Sequence, residues 1–410
     1  MHILYLSQYF PPEVGATQTR AYEMARGLVQ AGHRVTLIAE VPNHPSGIIP
    51  PEYRGKWYER AQLDGIDVVR VWVKASPVKS FRTRLAFYVS YMLNSTLVGL
   101  LRARGPFDVV FATSPPLFVG GAGVALHWLK RVPLVFEVRD LWPELAVALG
   151  EISSPRAIAW AHRLADLCYD RASRIVVVTE GDRQQLLARG CPEEKLALIP
   201  NGANTALFHY QPEEAARFRL AHGLGDAFVV VYAGTHGIAQ GLETLLEAAA
   251  ILRDSADIRF VLVGEGPVKA GLQALRAGLG LDNVLMLPEQ PRSTIPAVLS
   301  AADAASVPLR KVALFHGTRP SKMFDAWACE LPVLLSVDGE ARRTLEAAQG
   351  GLYVPPEDPQ ALADAIRNLA ARPDRGRALG RNGRRYTEQH HSRQAQAQLL
   401  AQLLREAARG

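Results

Sequence analysis

Two stretches of the chain concentrate side chains able to act on an anionic ligand that also carries hydroxyls. In Thr318-Arg319-Pro320-Ser321-Lys322-Met323-Phe324-Asp325, Ser321 reads as a helix N-cap whose free backbone amides form an anion site, and Arg319 and Lys322 add formal positive charge. Asp325 falls about one turn into that helix on the neighbouring face, where a carboxylate can accept two hydrogen bonds from a vicinal diol such as a ribose. The competing reading is a solvated Lys and Asp in a first helical turn. In Glu137-Val138-Arg139-Asp140-Leu141-Trp142-Pro143-Glu144, a buried strand ends in four charges around a bulky aromatic. Charges there cost desolvation unless paired or used, which makes Arg139 and Asp140 either reaction-centre candidates or a mutual ion pair.

Three further loops have the composition of ligand cradles. Residues 8–17 (QYFPPEVGAT) place Gly15 and Ala16 before a helix, where backbone can approach an anion; an ordinary loop stiffened by prolines is the alternative. Residues 231–241 (VYAGTHGIAQG) set Gly234, Gly237 and Gly241 between a buried strand and a helix, with Thr235, His236 and Gln240 among them. This is a phosphate-cradle arrangement without the spacing of a Walker A loop, and a purely structural turn competes with it. In Val263-Gly264-Glu265-Gly266-Pro267, Glu265 suits either a ligand hydroxyl or ring edge, or a turn.

The elements that must carry these loops are short apolar β-rich runs alternating with longer helical patterns, the signature of parallel strands joined by crossover helices. The pattern predicts strands at 3–7, 34–39, 66–73, 109–113, 134–138 and 174–179, then a second series at 228–233, 259–263, 284–287, 304–307 and 333–336. Helices are expected over 19–30 and 242–253, among others. Asn201-Gly202-Ala203-Asn204 opens the irregular stretch that best separates the two series. Open parallel sheets bind ligands beyond the carboxyl ends of their strands, which is where all these loops fall.

The 410 residues carry a net charge of +6, mild for a nucleic-acid binder of this size, and no nucleic-acid partner is expected. Cys168, Cys191 and Cys329 lie far apart without metal-ligand spacing, so neither a zinc site nor a disulfide scaffold is indicated. The start of the chain reads as a buried strand rather than a signal peptide, and no run is apolar enough to span a bilayer.

With these loops in order the chain resembles the GT-B glycosyltransferases, specifically the retaining family-four group. Within it the resemblance is to bacterial surface-polysaccharide (O-antigen or capsule) transferases of the fucosaminyltransferase type. The segments that carry it are residues 9–15 (YFPPEVG), 42–47 (PNHPSG), 136–144 (FEVRDLWPE), 199–202 (IPNG), 239–242 (AQGL), 263–267 (VGEGP) and 320–325 (PSKMFD). The resemblance implies an α/β fold of two Rossmann-like, doubly wound parallel-sheet domains facing a cleft. Residues 1–205 would bind the acceptor and 206–385 a nucleotide sugar, with 386–410 a C-terminal helix crossing back to the first domain. It implies a retaining transfer from a UDP-sugar, an N-acetylated amino sugar, by same-face attack, with no cofactor and no metal. Basic side chains and helix N-termini would stabilise the diphosphate leaving group instead.

Carried over position by position, the donor contacts fall on Gly15, Thr235, Gly237, Gln240, Gly241, Glu265, Arg319, Ser321, Lys322 and Asp325, and the catalytic roles on Asp140, Arg139 and Lys322. The chain departs from the family pattern at four places. Gly317 stands where the first of two donor glutamates is usual and Asp325 matches the second. Thr235 and Gln240 replace the usual Arg and Lys, and Arg139 replaces the usual catalytic His. These departures motivate two other readings, a nucleotide-sugar 2-epimerase of the same fold and a non-catalytic GT-B partner.

Residues 74–104 hold Lys74, Lys79, Arg82, Arg84, Arg102 and Arg104 and no acidic residue, with Phe81, Leu85, Phe87, Tyr88, Tyr91, Met92 and Leu93 interleaved. This reads as a helix facing an anionic membrane surface and admitting a polyprenyl-diphosphate-linked saccharide, or as a sheet-packed helix with basic ends. The first reading puts the protein in the cytoplasm, peripheral on the inner face of the membrane. A second basic cluster, residues 372–385, has six arginines and one aspartate, so the charge excess is local rather than general.

Overall fold

The computed structural model describes residues 1–409 apart from Val14, Pro45, Lys79, Leu149, Glu151 and Ala256. The expected contribution of Lys79 to the basic stretch therefore lies outside the described residues. The chain forms two compact units, Met1–Pro200 with Arg393–Gly410, and Asn201–Ser392. The expected divisions at 205/206 and 385/386 thus move to Pro200 and Ser392.

The first unit contains β1 (His2–Leu6), β2 (Arg34–Glu40), β3 (Tyr58–Leu63), β4 (Ile66–Val71), β5 (Val109–Ser114), β6 (Leu134–Val138), β7 (Arg174–Val177) and β8 (Leu196–Leu198). They form one sheet in the order β3-β4-β2-β1-β5-β6-β7-β8. Every pairing is parallel except β3 with β4. The central strands are near-continuous apolar runs because helices cover both faces of the sheet. One of those helices is Arg393–Arg409, whose Ala397, Leu400 and Leu404 join the core against the helix Ala16–Gln30. Gly27 is required at that crossing, since a Cβ there would collide with Ala397.

The second unit contains β9 (Phe228–Ala233), β10 (Ile258–Val263), β11 (Val284–Leu287), β12 (Ala304–Pro308), β13 (Val333–Ser336) and β14 (Gly351–Tyr353). Their order is β11-β10-β9-β12-β13-β14, all parallel. In both units the chain winds outward from a central strand, then returns to wind the other way. The reversal falls between β1 and β5 in the first unit and between β9 and β12 in the second. Such a switch point leaves a crevice at the strand ends.

The strand expectations omitted β3, β8 and β14. The strand β3 is a largely polar edge strand whose hairpin to β4 turns on Asp64 and Gly65, both at positive φ. Strands β8 and β14 are three-residue edges. The basic apolar stretch forms the helix Phe81–Leu101, started by a capping box between Ser80 and Thr83. Tyr91, Ser95, Val98 and Gly99 bury one of its faces, while Phe81, Leu85, Leu93 and Leu97 remain exposed. Among the described residues no helix is long and apolar enough to cross a membrane.

Candidate active site

In the second unit the loops after β9 and β10 pack backbone against backbone. A Cβ on Gly264 would strike the Gly234 carbonyl, and one on Gly266 the His236 carbonyl. The His236 amide donates to the Glu265 carbonyl at 2.8 Å and the Val268 amide to the His236 carbonyl at 3.2 Å. Gly234 is bare for a second reason, because the Lys322 side chain lies where its Cβ would be. Gly241 takes a left-handed φ of 56° beneath Arg310. That arginine donates to both Glu243 carboxylate oxygens at 3.1 Å and to the Ile238 carbonyl at 2.8 Å, clamping the loop from the far side. Gln240 folds over Gly237, and the Thr235 carbonyl accepts from the Tyr232 hydroxyl at 2.7 Å.

Lys322 and Asp325, three residues apart on the helix Ser321–Ala328, both line a cavity of about 30 Å³ at the ends of β9 and β12. The Lys322 ammonium lies 5.5 Å from the centre of the Tyr232 ring, and among the described residues no carboxylate is within ion-pair distance of it. Burial lowers its pKa, with Asp325 opposing. Asp325 Oδ1 is 3.5 Å from the Arg292 guanidinium, and among the described residues that buried oxygen accepts no hydrogen bond. The opposite side of the helix is fixed by buried Met323, Phe324 and Trp327, the last donating to the Gly350 carbonyl at 2.7 Å.

Three expectations change here. Ser321 is not an N-cap: Pro320 occupies that position, and no side chain caps the helix. The helix keeps its free amides, but Ser321 sits inside its first turn. Arg319 pairs at 3.0 Å with Glu340, the first residue of the next helix, so its charge is already matched. Glu265 pairs at 2.5 Å with Lys269, which also donates to the carbonyls of Gly264 and Leu287. His236 departs from the usual satisfied loop histidine. Its ring is buried and, among the described residues, neither nitrogen has a hydrogen-bond partner. Burial, helped by Lys269 and Lys322, pushes its pKa down to about 4, so the imidazole is neutral near pH 7.

In the first unit, Gly15, Arg139 and Asp140 lie in the loops after β1 and β6. Arg139 reaches back to Thr17, to its carbonyl at 3.5 Å and its hydroxyl at 3.4 Å, and among the described residues no ion pair joins it to Asp140. Burial pushes the half-buried Asp140 carboxyl up to about 6 against the opposing charge of Arg139. Beneath them lies a fully buried pair. Burial alone would raise the Glu137 carboxyl, but Arg20, bonded at 2.8 Å, and the Thr113 hydroxyl at 2.5 Å hold it below its usual range. Arg20 also donates to the carbonyls of Ile199 and Pro200, tying β6 to the end of the unit.

The segments 9–15 and 42–47 meet in a cluster whose roles the sequence reading did not assign. Glu13 accepts from the backbone N–H groups of Asn43 and His44, both at 2.7 Å. Glu40 accepts from Gln8 at 2.7 Å and from the Asn43 side chain at 2.8 Å. Burial raises both carboxyls, Glu40 well above the usual range with the charge of Glu13 adding to it. A buried carboxylate two residues before a glycine-led helix was the available signal at Glu13. Glu40, the last residue of β2 between Ala39 and Val41, gave none. Lys269 and Arg310 were also missed, because isolated cations near helix starts are common.

Residues 15–202 match the glycosyl transferase 4-like domain, and residues 214–386 match the glycosyl transferases group 1 family. A D-inositol 3-phosphate glycosyltransferase of Catenulispora acidiphila is 30% identical over 302 residues, 70% of each chain. The chain is a GT-B glycosyltransferase. A protein of Escherichia coli (strain K12) named as a colanic acid biosynthesis glycosyl transferase, WcaI, is 25% identical over 383 residues, 91% of this glycosyltransferase and 93% of that protein. The Anabaena protein HepE, solved with UDP-glucose, superposes with a TM-score of 0.75 at 17% identity, covering 99% of this chain and all of that one. The glycosyltransferase relatives do not favour the epimerase and non-catalytic readings. Among the described residues no group of three or more His, Cys, Asp or Glu side chains could hold a metal ion.

Proposed function

We propose that the protein transfers a sugar, an N-acetylated amino sugar, from a UDP-sugar to a lipid-linked saccharide in cell-surface polysaccharide synthesis, with retention at the anomeric carbon. The observation that carries the reading is the pairing of Lys322 with Asp325 at the β9/β12 switch point. Among the described residues, one is a cation without a carboxylate partner lying along the bare backbone of Gly234, and the other a carboxylate whose buried Oδ1, 3.5 Å from the Arg292 guanidinium, accepts no hydrogen bond. A nucleoside diphosphate supplies what both lack, phosphate oxygens for Lys322 and a ribose diol for Asp325. The likeness to a fold solved with UDP-glucose and to a relative named for colanic acid synthesis supports the donor and pathway class.

In this reading the bond from the anomeric carbon to the β-phosphate oxygen breaks, with its electron pair leaving on the phosphate. Lys322 and the amides at the start of Ser321–Ala328 hold that charge where it develops. The acceptor hydroxyl attacks the same face and gives its proton to the departing phosphate oxygen. The ionised Asp140 carboxylate is assigned the balancing of the positive charge that develops on the sugar ring, and Arg139 the positioning of its loop. Thr235, Gly237, Gln240 and Gly241 wrap the diphosphate, Glu265 takes a donor-sugar hydroxyl, and Gly15 is assigned a donor contact.

The test is nucleotide diphosphate release from a panel of nucleotide sugars, with and without a lipid-linked saccharide and with and without a chelator. UDP-sugar turnover that persists in chelator and rises with the lipid acceptor is expected. Release that requires a divalent ion, or that favours soluble acceptors, contradicts the reading.

A further inference from the structure

Near Asp325 the second unit buries two more polar side chains with unfilled hydrogen-bonding capacity. Arg292 lies in the loop after β11, and its guanidinium carbon sits over the Phe208 ring, 4.5 Å from the centroid. Phe208 is fully buried, and its backbone is fixed at both ends, its amide donating to the Asn204 carbonyl and its carbonyl accepting from Arg384, each at 2.8 Å. That contact anchors the guanidinium. Its Nε and Nη2 form the side-on fork of an arginine, and both are buried without a hydrogen bond among the described residues. Nη2 stands 3.5 Å from Asp325 Oδ1, the carboxylate oxygen that also accepts none. Ser306, on β12, adds a third group. Its hydroxyl is buried without a partner among the described residues, and it lines the same cavity of about 30 Å³ as Asp325 and Lys322.

A guanidinium and a carboxylate this close usually shorten to a hydrogen bond of about 2.7–2.9 Å. Here the pair keeps its attraction but leaves two donors unused on one side and an acceptor on the other. Buried groups left unmade cost stability, so the arrangement points to a bound group that completes it. Its chemistry follows from the two sides. An oxyanion suits the fork, but it would meet the Asp325 carboxylate, and like charges at that separation repel. An apolar group would satisfy none of the three. A hydroxyl answers both sides, since its oxygen accepts from the fork while its proton goes to Asp325. Atoms 3.5 Å apart can both be reached by one oxygen at about 2.8 Å. Two donors on one fork take two neighbouring oxygens, which is a vicinal diol. A trapped water is the competing occupant, since a cavity of this size holds one.

We propose that Arg292 grips the ribose diol of the nucleotide donor together with Asp325, with the Ser306 hydroxyl lining the same space, and that this fork makes the site selective for ribonucleotides over deoxyribonucleotides. Arg292 is a binding and specificity residue with no part in bond cleavage. The assignment rests on the nucleoside diphosphate reading of the site and extends it from the carboxylate to the guanidinium.

Calorimetric titration of the full chain in excess chelator with UDP, 2′-deoxy-UDP and 3′-deoxy-UDP tests it. The wild type is expected to bind UDP at least about tenfold more tightly than one or both deoxy analogues, because a buried group built to bond a hydroxyl is left unpaired by an analogue that lacks it. Arg292→Met keeps an unbranched side chain over Phe208 and removes every donor. It should weaken UDP about tenfold and the discriminated analogue less than about twofold, so that the ratio between them falls towards one. Arg292→Lys, which keeps the charge without the fork, should recover part of that ratio. Both variants should keep the wild-type circular dichroism spectrum.

Equal weakening of UDP and both analogues in Arg292→Met marks an arginine that only supports the loop or holds a water, and unchanged binding marks one that touches nothing. Either overturns the proposal. A wild type that binds UDP without preferring it to either analogue keeps the nucleotide reading and loses the role of Arg292. A chain that binds none of the three loses both.

Discussion

The two units share one winding order and reach opposite solutions at their switch points. In the first, the buried ion pair and the carboxylates near the loop after β1 already hold protein partners, although Glu13 Oε2 and Gln8 Oε1 are buried without a hydrogen bond among the described residues. Arg20 and Glu137 neutralise one another, and Glu13 and Glu40 are tied to Gln8, Asn43 and backbone amides. In the second, Lys322 lacks a carboxylate, Asp325 Oδ1 lacks a hydrogen bond, and both His236 ring nitrogens are unpartnered among the described residues. Buried groups left in that state cost stability, so their retention points to a ligand that completes them. Paired charges hold the loops of the first unit in place, whereas an unmatched cation stays available for an anion. Topology alone does not decide which occurs. The second unit gains its open cation from two bare glycine backbones, Gly234 under Lys322 and Gly264 under Gly234.

The comparison can be broken from either side. Arg20→Ala leaves Glu137 charged and buried, and should cost about 3–5 kcal/mol of stability in denaturant unfolding while nucleotide affinity holds. A loss below about 1 kcal/mol would show that the first unit is not held by its internal pair. Lys322→Ala should lower kcat by about 10²–10³-fold, the scale of removing one preorganised donor from a developing charge, with stability little changed.

Asp140 sharpens the contrast, since burial perturbs its carboxyl despite the opposing charge of Arg139. It binds its proton more tightly folded, at about 6, than unfolded, near the ordinary aspartate value. Its stabilising contribution is therefore complete below about pH 4 and lost as pH rises through about 6, up to roughly 3 kcal/mol over that window. Unfolding measured against pH should show this slope in the wild type and lose it in Asp140→Asn. Transferase rate should rise through the same pH as the carboxylate forms. The smallest effect is expected for Asp325→Ala, about tenfold weaker nucleoside diphosphate binding by calorimetry, from two hydrogen bonds to one diol.

Much of this was legible in the sequence because parallel strands buried on both faces read as apolar runs, and the loops between them carry their own punctuation. All the strands of four or more residues were visible except β3, whose polar side chains conceal an edge strand behind its Asp64-Gly65 turn. The gathering of Thr235, Gly237, Gln240, Gly241, Lys322 and Asp325 at adjacent strand ends followed from strand order. Partners were not legible. Nothing local tells that Glu340 claims Arg319, because that contact depends on how separate loops stack, whereas the Glu265–Lys269 pair has a visible four-residue spacing that was passed over. The Ser321 error has a similar origin, since Pro320 fixes the extended conformation before the helix and displaces the cap by one residue. Glu40 was passed over because it closes β2 between Ala39 and Val41, while its partner Gln8 comes from the loop after β1.

The central claim is that the second unit holds a nucleoside diphosphate through Lys322 without a divalent ion. Calorimetric titration of UDP into the full chain in excess chelator tests it most directly, with Lys322→Ala and Lys322→Arg in parallel. Binding that survives the chelator, falls at least about tenfold in Lys322→Ala and partly recovers in Lys322→Arg is the expected result. UDP binding that disappears in chelator, or that is indifferent to loss of the Lys322 ammonium, would contradict it.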